Sequence, residues 1–164
     1  MELTGKKVIV TGANGLVGLP TVEKCIKEGA DKVYAVDLKF SDNLLYLQQQ
    51  YRDKIVLVKT DLTYLSHCED LFTMDKIDIV LHIAGVKGSP ARSSTQPADY
   101  LFPMLMFNTN MIKASFDAGV HWFVYLSSVG VYKPSDVMNE EDIWSQEETW
   151  ASTPSRLDWH PGWT

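Results

Sequence analysis

Short runs of apolar and β-branched residues alternate along this chain with segments whose apolar positions recur at helical spacing. The runs are Lys7 to Thr11, Lys32 to Asp37, Ile55 to Lys59, Asp78 to Ile83 and His121 to Ser127. They are almost continuously apolar, which predicts parallel strands covered on both faces. Between the first two, Leu19, Val22, Cys25 and Ile26 share one side of a helix, and Gly29 is placed to end it in the left-handed conformation. Pro20 is compatible with that helix because it falls in the first turn, where a missing N–H costs no internal bond. Thr63 is the expected N-cap of a helix carrying Leu65, Cys68, Leu71 and Phe72. The pattern predicts an α/β fold, a doubly wound parallel sheet with about five strands.

Two regions depart from this rhythm. From roughly Asp99 to Ala118, the side chains of Leu101, Met104, Leu105, Met106, Phe107, Met111, Ile112 and Phe116 spread around most of a helix. A helix apolar on nearly every side needs cover on more than one. The sheet supplies one neighbour, and a second must come from elsewhere. Beyond Tyr132 the periodicity stops, and residues 135–164 hold Trp144, Trp150, Trp159 and Trp163, four of the five tryptophans. They read as a long loop. The expected organisation is a domain over 1–134, followed by an acidic, Trp-rich loop over 135–164.

Charge sharpens that division. Residues 1–134 are neutral, so the whole net charge of −6 arises in the last thirty residues, where Arg156 stands against seven acids. No basic stripe is available to track a phosphate backbone, which argues against nucleic-acid binding. No apolar stretch is long enough to span a bilayer, and none follows Lys6 to form a secretory signal. Cys25 and Cys68 lie in helical segments without metal-ligand spacing and read as buried thiols of a reducing compartment, the cytoplasm. In His67-Cys68-Glu69-Asp70, adjacent helical residues point in different directions, so that cluster is no metal site.

Candidate chemistry begins where the first strand runs into Gly12-Ala13-Asn14-Gly15-Leu16-Val17-Gly18 and then into a helix. Three positions without side chains at a helix N-terminus allow a tight turn, a close approach of pyrophosphate and close helix–strand packing. Asp37 ends the next strand and is placed to accept hydrogen bonds from the ribose hydroxyls of a dinucleotide. Its carboxylate disfavours a 2′-phosphate, so NAD is expected over NADP, although Lys39 lies two residues on. His82 reads as a hydrogen-bonded histidine at a strand end rather than a proton-transfer group.

Thr11-Gly12-x-x-Gly15-x-x-Gly18 resembles the fingerprint of the extended short-chain dehydrogenase/reductase family, a group of nucleotide-sugar epimerases and dehydratases with a Rossmann-like sheet. Further matches follow in order: Asp61-Leu62, His82-Ile83-Ala84-Gly85-Val86-Lys87, Asn108 within Phe107-Asn108-Thr109-Asn110, and Ser127-Ser128-Val129-Gly130-Val131-Tyr132. The resemblance implies that Gly12, Asn14, Gly15, Leu16, Val17, Gly18, Asp37 and Leu38 line the cofactor. It implies that Asp61 and Leu62 hold the adenine, and that Ile83, Ala84, Gly85, Lys87 and Ser127 lie along the cofactor. Asn108 would steady the active site, and Ser128 would polarise the reacting oxygen. Hydride transfer to a sugar carbon and homodimerisation through the fourth helix are implied too. The family's tyrosine–lysine pair is not found, since no tyrosine has lysine four residues later. His160 stands near the expected tyrosine position, which suggests a chain shortened at its C-terminus. A non-catalytic dinucleotide-binding module is the alternative.

Overall fold

A computed structural model describes residues 2–86 and 95–127. Strands β1 (Lys7–Thr11), β2 (Lys32–Asp37), β3 (Ile55–Lys59), β4 (Ile79–His82) and β5 (Trp122–Tyr125) alternate with helices α1 (Gly18–Lys27), α2 (Asp42–Gln50), α3 (Leu65–Thr73) and α4 (Pro97–Asp117). All four strand pairings are parallel, in the order β3-β2-β1-β4-β5. The chain winds outward from β1 to β3 and then returns to the other side of β1. Order therefore reverses between β1 and β4, and ligands of such Rossmann-like sheets bind beyond the carboxyl ends of the strands at that reversal. In register there, Thr11 lies between Val36 of β2 and His82 of β4.

Side chains alternate across the sheet. Val8, Val10, Val33, Ala35 and Ile79 join Val22, Cys25 and Ile26 of α1 and Leu44 and Leu47 of α2 in one buried cluster. The opposite parity, including Ile9, Tyr34, Val36, Val80 and His82, is buried as well. On that side His82 meets Phe107 and Asn108 of α4. Gly29 ends α1 at φ +88°, as its position after Ile26 predicts.

Several expectations change in detail. The fourth and fifth strands are shorter than their apolar runs. Thr63 is not an N-cap: α3 starts at Leu65 with Tyr64 before it, and both the Thr63 N–H and hydroxyl donate to Asp61 Oδ1. The Asp61 carboxylate is the stronger local acceptor and builds its own turn. Helix α2 adds an element with only two buried side chains, capped by Ser41, whose Oγ accepts from the Leu44 N–H. Pro97 opens α4, where its ring is tolerated, and Pro103 lies inside it.

The chain divides into two compact units, Met1–Gly85 with Met106–Leu126, and Val86–Leu105 with Ser127–Thr164. The first carries the whole sheet. The expected boundary after residue 134 lies outside the described residues. No described helix is long and apolar enough to cross a membrane.

Candidate functional site

The loop from β1 to α1 is shaped by what its glycines leave out. Gly12 has φ +66°, and a Cβ there would lie 2.8 Å from the Cα of Ala84. A Cβ on Gly18 would lie 2.0 Å from the Gly12 carbonyl oxygen. The loop is thus pressed against both the exit of β4 and its own helix. Gly15 N–H donates to the Gly12 carbonyl at 3.0 Å and closes the turn. Val17 precedes α1 without a side-chain capping bond. Among the described residues no hydrogen bond engages the N–H of Leu16 or Val17, and both side chains are exposed. Open donors at the positive end of a helix suit an anion.

Asp37, at the carboxyl end of β2, reaches back to this loop. Its Oδ2 accepts the Asn14 N–H at 2.8 Å, while Oδ1 accepts the N–H of Leu38 at 2.8 Å. Asn14 Oδ1 in turn accepts the Ser41 N–H at 2.8 Å, tying the loop to the start of α2. Leu38 is exposed. Beyond β3, Leu62 is buried beside the Asp61 turn. Asn110 Nδ2 donates to the carbonyls of Leu62, at 3.1 Å, and Thr63, at 3.0 Å, and clamps that turn to α4. Asn110 was not singled out from sequence; a second asparagine two residues after Asn108 in an apolar helix was the available signal.

At the centre, Thr11 Oγ1 lies 2.8 Å from His82 Nδ1, and His82 Nε2 lies 2.9 Å from Asn108 Oδ1. Asn108 Nδ2 then donates to the Tyr125 hydroxyl at 3.0 Å. Rings of Phe107, Phe123 and Tyr125 surround the imidazole. Burial drives the His82 pKa down to about 4 against the opposing Asn108 bond, so the ring is neutral near pH 7. Burial also raises the Tyr125 phenol. Ile83 and Ala84 follow, both donating backbone N–H to Thr11 Oγ1, and Gly85 is exposed.

Both cysteines are buried, and burial pushes the thiols of Cys25 and Cys68 up to about 11 and about 12. They are packing groups, with Cys68 Sγ donating to the Leu62 carbonyl. Ser127 is exposed and belongs to the second unit. Lys87, Ser128, Tyr132 and His160 lie outside the described residues.

Residues 8–154 match the family described as NAD dependent epimerase/dehydratase. The chain belongs to that family. It is 28% identical over 133 residues to UDP-glucose 4-epimerase of Drosophila melanogaster, covering 76% of this chain and 38% of that protein. GDP-L-fucose synthase of Sinorhizobium fredii is 26% identical over 130 residues, covering 79% of this chain and 35% of that protein. Among solved structures, UDP-glucose-4-epimerase of Stenotrophomonas maltophila, with bound NAD and formylated UDP-arabinopyranose, superposes with a TM-score of 0.70 at 27% identity. That match covers 80% of this chain and 40% of the other. The chain therefore spans well under half the length of these epimerase/dehydratase relatives.

Proposed function

We propose that this chain binds NAD at the carboxyl end of its sheet and forms the cofactor-holding part of a nucleotide-sugar epimerase, dehydratase or reductase. One observation carries the reading: Asp37 is fixed to Asn14 within the glycine loop, beside the open N–H groups of Leu16 and Val17. Close packing at Gly12 and Gly18, where a Cβ would strike Ala84 and the Gly12 carbonyl, holds the turn that offers those N–H groups to a pyrophosphate. Gly15 gives the turn, and Asp37 accepts ribose hydroxyls with the lone pairs that Asn14 and Leu38 leave over. Its charge repels a 2′-phosphate and selects NAD over NADP. Asp61 and Leu62 flank the adenine, Ile83, Ala84 and Gly85 at the end of β4 lie along the cofactor, and the family resemblance adds Lys87 and Ser127 as cofactor contacts.

A bound NAD would supply hydride transfer at a sugar carbon. Asn108 steadies the β4–β5 end, and Ser128 donates a hydrogen bond to the reacting oxygen, easing charge development there. The same reading makes a nucleotide sugar the substrate, a second copy the partner and the cytoplasm the compartment. Calorimetric titration with NAD and NADP, before and after Asp37→Ala, tests it. Tighter NAD binding by the wild type, with the preference lost in the variant, is expected. Failure to bind either nucleotide overturns the reading.

A further inference from the structure

The hydrogens of the Thr11–His82–Asn108–Tyr125 chain can be counted. Thr11 Oγ1 accepts the backbone N–H of Ile83 at 3.1 Å and of Ala84 at 3.2 Å. A hydroxyl has two lone pairs and one hydrogen, so both lone pairs are occupied and the hydrogen points to His82 Nδ1. Nδ1 must then accept, which puts the ring hydrogen on Nε2, facing Asn108 Oδ1. With its carbonyl used, Asn108 donates through Nδ2 to Tyr125. Donation therefore runs in one direction through the chain, and reversing any link leaves two donors or two acceptors face to face.

We propose that His82 is a positioning residue whose Nδ1 lone pair locks the Thr11 hydroxyl, so that Thr11 holds the Ile83–Ala84 backbone against Gly12. The role in ligand binding rests on the dinucleotide reading above. Ala84 occupies the space next to Gly12 where a Cβ would stand, so this backbone segment sets the gap between the two loops. Without an acceptor at Nδ1, the hydroxyl turns its hydrogen elsewhere and gives up a lone pair that Ile83 or Ala84 needs.

A ring that merely fills space and a ring that supplies an acceptor predict opposite orders for two variants. His82→Asn keeps a carbonyl oxygen about where Nδ1 stood and loses the arm to Asn108. His82→Gln comes nearer to histidine in volume and reaches Asn108, but offers Thr11 no acceptor. His82→Asn is expected to keep slow amide exchange at Ile83 and Ala84 and NAD affinity within about threefold of the wild type. His82→Gln is expected to speed exchange at those two amides and weaken NAD binding, each by about tenfold, the effect of one lost buried hydrogen bond. Equal losses, or the reverse order, overturn the proposal. So does nitrogen NMR of the wild-type ring that finds the hydrogen on Nδ1. A wild type that ignores NAD contradicts the functional reading, while exchange at Ile83 and Ala84 still decides the role of His82. If the His82 variants do not fold, Thr11→Ser against Thr11→Val decides it through the same amides, with only Thr11→Val expected to speed their exchange.

Discussion

The β1–β3 flank of the sheet and its β4–β5 flank are built from similar apolar runs and end in different surroundings. Val33, Ala35 and Val36 of β2 are completely buried, whereas Trp122 and Val124 of β5 are 53% and 42% exposed. On α4, Met111 is buried while Ile112 and Phe116 face outward. Helices α1 and α2 contribute to the cluster over the first flank, and neither Trp122 nor Val124 belongs to that cluster. An apolar run specifies a strand, and its neighbours decide whether that strand is buried. The glycine loop, Asp37 and Asp61 all belong to the closed flank, where their hydrogen-bonded turns are well formed. The open flank carries the strand that leads to Ser127.

The contrast can be attacked most severely at its seam. Gly12→Ala adds a left-handed strain of about 1–2 kcal/mol and an overpacking cost of about 1–3 kcal/mol against Ala84, so urea unfolding should show a loss of about 4 kcal/mol. Within the closed flank, Leu44→Ala leaves a cavity at a side chain with no exposed surface and should cost about 3 kcal/mol in the same assay.

Acid should weaken the seam through His82. Its folded pKa, about 4, lies below the ordinary 6.5, so the unfolded chain binds a proton that the folded chain refuses in this interval. Stability contributed by the neutral ring is full above about pH 6.5 and is lost as the pH falls toward about 4, by about 3 kcal/mol. Tyr125, the titratable ring stacked on it, stays protonated throughout because its own pKa is raised. Asp75, held low by the Lys7 hydrogen bond, gives way only in stronger acid. Unfolding measured across this range should show the slope, and His82→Asn should flatten it. The smallest effect belongs to the outward side of α4: Phe116→Ala, at a side chain 81% exposed, should change stability by only about 0.5 kcal/mol. A loss as large as that of Leu44→Ala would show that this side is covered like the closed flank.

Most of the sheet was legible in sequence because its signals are local. β1, β2 and β3 coincide with their β-branched runs, and Gly12, Gly15, Gly18 and Asp37 announce a phosphate-ready turn and an acid at a strand end. Helix α2 was nearly silent, since Leu44 and Leu47 alone mark its buried side. Thr63 misled because Asp61, two residues earlier, takes its N–H and hydroxyl, so the Thr63 side chain serves the turn and not the helix end. The polar chain at the centre was illegible for another reason. Its links join Thr11 to His82 across 71 positions and His82 to Asn108 across 26; strand register brings the first pair together and the packing of α4 on the sheet the second. Sequence placed His82 at a strand end but held no sign of which nitrogen carries the hydrogen.

The dinucleotide proposed above belongs at the carboxyl end of the closed flank and its seam with β4. Amide NMR of the chain during a titration with NAD tests that placement most directly. Saturable shifts are expected at Leu16, Val17, Leu38, Leu62 and Ile83 to Gly85, with Trp122 and Val124 unmoved. Shifts confined to the β5 flank, or no shifts at millimolar NAD, would contradict it.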